Sequence, residues 1–208
     1  CVNSTFRLRR ITTKKWISRR SFADARTRTN TKLANSEIDI IQEEAVASGV
    51  RSVRSRIETA CKESRRTPDE VTLVAVTKTV PAPVVNLGRE AGLSHFGENR
   101  VQDAENKCRS VDDGHWHLIG QLQRNKARRA INLFSLIHSV DSIKLAHRLE
   151  LVRTTENCAV LVQVNLTDSE SQAGVSPNDL SRLATIIDRE TSLELRGLMT
   201  IAPINGSQ

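Results

Sequence analysis

Val71-Thr-Leu-Val-Ala-Val-Thr-Lys78 is the stretch that decides how this chain is read. It is β-branched and apolar at both odd and even positions, the pattern of a parallel strand buried on both faces. Thr67-Pro-Asp-Glu70 punctuates the chain just before it. Working outward, the same unit recurs: strands are predicted at 71–77, 94–97, 116–120, 134–140, 159–165 and 193–199, and helices near 81–92, 99–110, 122–132, 142–155 and 177–190. Such alternation defines an α/β fold, either a TIM-type (β/α) barrel or an open doubly wound sheet. No Gly-x-Gly-x-x-Gly follows the first strand, which counts against a dinucleotide-binding sheet. Upstream, Ile38, Ile41, Ala45, Val50, Val53, Ile57 and Ala60 recur at three- and four-residue steps. They predict helix from an N-cap at Ser36, with a break at Gly49.

The charge of the chain is unevenly spread. Its 208 residues carry 31 Lys+Arg against 24 Asp+Glu, a net +7. Residues 1–32 hold ten of the basic groups and one acid, so residues 33–208 sum to −2. The basicity therefore belongs to an N-terminal extension over 1–32, ahead of a near-neutral domain over 33–208. Its Arg, Ser and Thr content with scattered apolar residues is that of a transit peptide, or equally of a disordered tail. A cytoplasmic or mitochondrial location fits either reading. Only six aromatics exist, and Phe6, Trp16 and Phe22 lie in the extension. The domain thus lacks the stacking platforms of a nucleic-acid binder. The longest wholly apolar run, Cys158 to Val162, is five residues, too short for a membrane span. Cys1, Cys61, Cys108 and Cys158 are far apart with no Cys-x-x-Cys pair, which reads as free thiols and argues against structural zinc.

Chemistry is expected at strand ends. Val74, Val76 and Lys78 share one face by the two-residue period of a strand, so an apolar row ends in an amine where α/β barrels place their working groups. An amine there can form a Schiff base with an aldehyde; the plainer alternative is a lysine reaching solvent. His115 and His117 share a face and suggest a packed or hydrogen-bonded pair more than a metal site. Gly97-Glu98-Asn99 follows a strand, and its polar groups are expected at the barrel mouth. Arg124, Lys126, Arg128 and Arg129 form a basic cluster, read as a solvated face or a phosphate or partner contact.

Six stretches in order then carry a resemblance: Val74-Ala-Val-Thr-Lys-Thr-Val-Pro81, Phe96-Gly-Glu-Asn-Arg-Val-Gln102, Trp116-His-Leu-Ile-Gly-Gln-Leu-Gln-Arg-Asn-Lys126, His138-Ser-Val-Asp141, Val162-Gln-Val-Asn165 and Arg196-Gly-Leu-Met-Thr200. Over roughly residues 45–203 the chain resembles the pyridoxal phosphate homeostasis proteins, which bind pyridoxal 5'-phosphate and are related in fold to the N-terminal barrel of alanine racemase.

The resemblance implies that Lys78 holds the cofactor as a Schiff base, with Asn99, His117 and Met199 near the ring or lining the pocket. It implies a carrier or regulator in vitamin B6 homeostasis rather than an enzyme. Its partners would be pyridoxal phosphate and pyridoxal-phosphate-dependent apo-enzymes, with no nucleic acid, membrane or metal, and it would act as a monomer. A racemase-like enzyme is the alternative, and it would need an acid/base group opposite Lys78. Two departures stand out: Arg100 replaces the Tyr usual after Gly-Glu-Asn, and the sequence stops at Gln208, just past the sixth strand. The barrel is therefore expected to be incomplete, with about six of eight strands present. The family's phosphate-binding segments would lie beyond Gln208. A truncated product with weak or no cofactor binding is the further expectation.

Overall fold

Parallel strands connected by helices form wherever short β-branched runs alternate with amphipathic stretches, and that is the architecture of the computed structural model. It describes residues 24–111, 113–154, 158–167 and 172–201, the first fifteen of these as backbone alone. The proposed extension over 1–32 therefore lies mostly outside the described residues.

Residues 24–71 form one unit. It holds α1 (Asp24–Glu63) and a 3-10 turn at Pro68–Glu70. The helix passes unbroken through both Ser36 and Gly49, contrary to the predicted N-cap and break. No Pro or Gly occurs between Asp24 and Gly49 to stop it, and a lone Gly costs a helix only about 1 kcal/mol.

From Thr72 onward lies the second unit, a six-stranded parallel sheet in the order β1 to β6. Its strands are β1 (Val74–Val76), β2 (His95–Glu98), β3 (His115–Leu118), β4 (Leu136–Val140), β5 (Ala159–Gln163) and β6 (Glu194–Met199). The helices between them are α2 (Ala82–Glu90), α3 (Val101–Cys108), α4 (Ala127–Leu133), α5 (Ile143–Val152) and α6 (Pro177–Glu190). Strand order equal to chain order is the topology of a barrel wall, and among the described residues β1 and β6 are the two edges.

Only one side of each strand meets the helices. Phe96, Trp116, Leu118, Ile137, Val160 and Val162 form a continuous core with Val85 of α2, Ala104 of α3, Ala130 and Ile131 of α4, Leu145 and Leu149 of α5, and Leu183 and Ile187 of α6. Spacings of three and four residues put the helical members on one stripe. Small residues at Gly88, Ala104, Ala127 and Ala146 are buried on this side of the helices.

The boundaries differ from expectation for local reasons. β1 is confined to Val74–Val76 because β2 begins at His95, directly opposite Val74, leaving 71–73 without a partner strand. At this edge β1 is only half-buried, whereas β4 and β5 are buried on both faces. The helix expected at 122–132 opens as a 3-10 turn, Arg124–Lys126, before α4. α6 begins where Ser176 caps it: its hydroxyl accepts the Asp179 N–H at 3.2 Å, and Pro177 fills the first helical position.

Candidate functional site

The face of the sheet turned away from the helices carries the polar chemistry. In register across β1, β2 and β3 it presents Val74, His95 and His115, then Val76, Gly97 and His117. Further along come His138 on β4, Leu161 and Gln163 on β5, and Gly197 and Met199 on β6. Gly97 and Gly197 leave this face without side chains at two points of the wall.

Three imidazoles are joined across three adjacent strands. His95 Nδ1 lies 2.9 Å from His117 Nε2, and His117 Nδ1 lies 2.8 Å from His138 Nε2. His115 stacks on His95 with ring centroids 4.8 Å apart. A neutral imidazole has one N–H and one lone pair, so His117 must donate at one of its contacts and accept at the other. The chain therefore runs in one direction at a time. Burial drives the charge off these rings: it pushes His117 down to about 3, helped by the neighbouring His138, His95 and His115, and His138 to about 4. His95 is lowered too, first by burial and then by His115. His117 and His138 are thus uncharged at neutral pH.

The four residues expected to form the site fall on or at the end of this face. Lys78 leaves the C-terminal end of β1, exposed, and no hydrogen bond or ion pair to it is found among the described residues. Asn99 follows β2 and is half-buried. Its backbone packs against Gly120, where a Cβ would lie 2.4 Å from the Asn99 carbonyl oxygen, so only glycine permits this approach. His117 is buried in the middle of the imidazole chain, and Met199 is buried at the end of β6. Lys78, Asn99 and Met199 are at strand C-termini; His117 sits one step further back along its strand.

Glu98 goes elsewhere than expected. Its place in β2 turns it to the helix-covered face, fully buried, and its Oε1 accepts Lys107 Nζ from α3 and the Thr77 hydroxyl, both at 2.6 Å. It is not at the mouth, because alternation gives Glu98 the parity of Phe96 and not that of His95 or Asn99. The basic cluster also disperses. Arg129 pairs with Glu105 of α3, while Arg124 lines a shallow cavity of about 730 Å³ with Lys144, His147 and Arg148, beside α5. Cys61, Cys108 and Cys158 are unpaired, and burial raises the Cys108 and Cys158 thiols to about 12 and about 11. Among the described residues no cluster could hold a metal ion and no helix is long and apolar enough to cross a membrane.

The sequence missed the roles of His95 and His138. Each stands in a predicted strand with the parity that, once the register is known, faces His117; parity was the available signal, and register the missing one.

With this geometry in hand, the comparisons define the class. The family model described as alanine racemase, N-terminal domain, matches residues 51–207. A curated protein of Escherichia coli K12 named pyridoxal phosphate homeostasis protein is 37% identical over 163 residues, covering 75% of this chain and 70% of that protein. Its namesake in Haemophilus influenzae is 39% identical over 155 residues, covering 72% and 65%. The chain belongs to the pyridoxal phosphate homeostasis protein family. Among solved structures, PipY of Synechococcus elongatus with PLP bound matches with a TM-score of 0.65 at 37% identity, over 78% of this chain and 73% of that one. Alanine racemase of Corynebacterium glutamicum shares the fold, with a TM-score of 0.61 at 15% identity over 76% of this chain and 44% of that one.

Proposed function

We propose that this chain binds pyridoxal phosphate as a Schiff base on Lys78 and serves as a carrier in vitamin B6 homeostasis. The observation that carries the reading is the position of Lys78: an exposed amine with no partner among the described residues, at the C-terminal end of β1, beside a strand face whose buried histidines are neutral. An uncharged, partly apolar wall suits an aromatic ring, and an unpaired amine suits an aldehyde. The bound form of PipY, a relative of the same fold at 37% identity, supports the ligand, and the relatives' shared name supports the role. When bound, the cofactor supplies an aldehyde that condenses with the lysine amine, releasing water.

The chain's own residues do the rest. Lys78 would provide the nucleophilic nitrogen, with Asn99 after the adjacent β2 and Met199 at the end of β6 as the residues that would border the ring. His117, kept neutral by burial, offers the ring a wall without charge. The receiving partners in this reading are pyridoxal-phosphate-dependent apo-enzymes, and the carrier acts as a monomer without turnover of its own.

Titrating the purified chain with pyridoxal phosphate and following its absorbance tests the reading. A Schiff-base band that appears in the wild-type chain and disappears in Lys78→Ala is the expected result. A band of equal strength in both would remove Lys78 from the site, and racemisation of alanine by the loaded chain would replace the carrier role with an enzymatic one.

A further inference from the structure

Lys78 is the second residue of a four-residue turn, Thr77 to Val80, closed by the Val80 N–H donating to the Thr77 carbonyl at 2.9 Å. Thr79, the third residue, has φ 67°, whereas Lys78 is not among the positive-φ residues. That pairing is the pattern of a type II turn, whose third position normally belongs to glycine. A β-branched side chain there is strained. Strain of this kind persists only where the surroundings over-determine the backbone.

Here the surroundings are a buried ion pair. Lys107 Nζ donates to the Thr77 carbonyl at 2.7 Å and to Glu98 Oε1 at 2.6 Å. The Thr77 hydroxyl donates to the same Oε1 at 2.6 Å, and the Thr77 N–H donates to the Gly97 carbonyl at 2.9 Å. Thr77 is thus held at its N–H, its hydroxyl and its carbonyl. That carbonyl belongs to the peptide unit whose nitrogen is Lys78's own, and the unit is planar. Fixing the oxygen fixes the direction in which the chain enters Lys78.

The pair is expensive for a purely structural role. Glu98 is 0% exposed and the Lys107 side chain 12%, and Glu98 Oε2 has no partner among the described residues. Apolar residues would fill such a place between sheet and helix at less cost in desolvation.

We propose that Lys107 and Glu98 are positioning residues for Lys78, gripping Thr77 so that the strained turn presents the Lys78 amine at one fixed point of the strand ends. The proposal rests on the reading that Lys78 carries the cofactor.

The test compares the full chain with Lys107→Met, with the neutralised pair Lys107→Met/Glu98→Gln, and with Lys107→Met/Thr79→Gly. For each, pyridoxal phosphate is added, the adduct on Lys78 is trapped with borohydride and quantified per folded molecule, and amide exchange is followed at Val80, Ile137 and Val160. The expected result is a loss of trapped adduct of roughly tenfold to a hundredfold in the Lys107 variants. Exchange should accelerate at Val80 while Ile137 and Val160 keep their protection. Relieving the strain with Thr79→Gly should recover part of the adduct. The neutralised pair leaves no buried charge alone, so it keeps the test open if Lys107→Met by itself fails to fold. Unchanged adduct in folded variants, or a loss matched by uniform loss of protection, overturns the proposal. If the wild-type chain forms no adduct on Lys78, the cofactor reading fails, and Val80 exchange alone decides: acceleration confined to the turn upholds the grip, and unchanged or uniform exchange rejects it.

Discussion

The two faces of this sheet are drawn from the same strands and carry opposite chemistry. Against the helices stand Phe96, Trp116, Leu118, Ile137, Val160 and Val162, all buried and apolar, interrupted by the Glu98–Lys107 pair. On the other face stand His95, His115, His117, His138 and Gln163, with glycine at 97 and 197. Because side chains alternate along a strand, this division follows parity and not segment. The difference teaches that the apolar core and the polar face are encoded in interleaved positions of the same short runs. A substitution at one position should damage the fold while its immediate neighbour damages the site.

The largest effect is expected where that separation is sharpest. Ile137, 1% exposed on the helix side of β4, should cost about 2–5 kcal/mol when changed to Ala, through lost burial and the cavity left behind. Urea unfolding measures it, and a cost below about 1 kcal/mol would mean the helix-side core is not what holds the sheet. Its neighbour His138 should behave differently. His138→Leu leaves one nitrogen of His117 without its partner, at a cost of about 1–3 kcal/mol.

Acid sharpens the same contrast. In the unfolded chain these imidazoles take up protons near pH 6.5, but in the folded chain burial holds His117 at about 3 and His138 at about 4. The unfolded state therefore binds more protons between those values, and stability must fall as pH drops below 6.5. Each histidine contributes a slope of about 1.4 kcal/mol per pH unit until its folded value is reached, and nothing above 6.5. Urea midpoints followed from about pH 7 to pH 4 should show this fall, and His138→Leu should flatten it. An identical slope in the variant would remove His138 from the neutral chain. Smallest of all should be Leu151→Ser on α5, where the side chain is 74% exposed; a shift within about 0.5 kcal/mol is expected from the same unfolding measurement.

Much of this was legible in the sequence, for reasons that differ from element to element. The start of α6, expected near 177, coincides with Ser176 and Pro177, local start signals whose physics does not depend on the rest of the fold. The place of Lys78 at a strand end was readable, because the alternation Val74, Val76, Lys78 runs out there, whereas its link to a cofactor came only from the family resemblance. The imidazole chain was not, because His95, His117 and His138 meet only through the register of three strands, which no local pattern contains. Nor was the Glu98–Lys107 pair: nine residues separate its members, on a strand and the following helix, and only their packing brings the charges to 2.6 Å. α1 failed as a local reading in the opposite way, since Gly49 is a weak breaker and helix on both sides outweighs it.

The central claim is that the strand-end face, and Lys78 on it, is where the cofactor is held. Locating the borohydride-reduced pyridoxyl group by mass spectrometry tests it most directly. The account predicts one modified position, Lys78, with the label lost in Lys78→Ala. Label spread over surface lysines such as Lys62, Lys126 and Lys144, and unchanged in that variant, would contradict it.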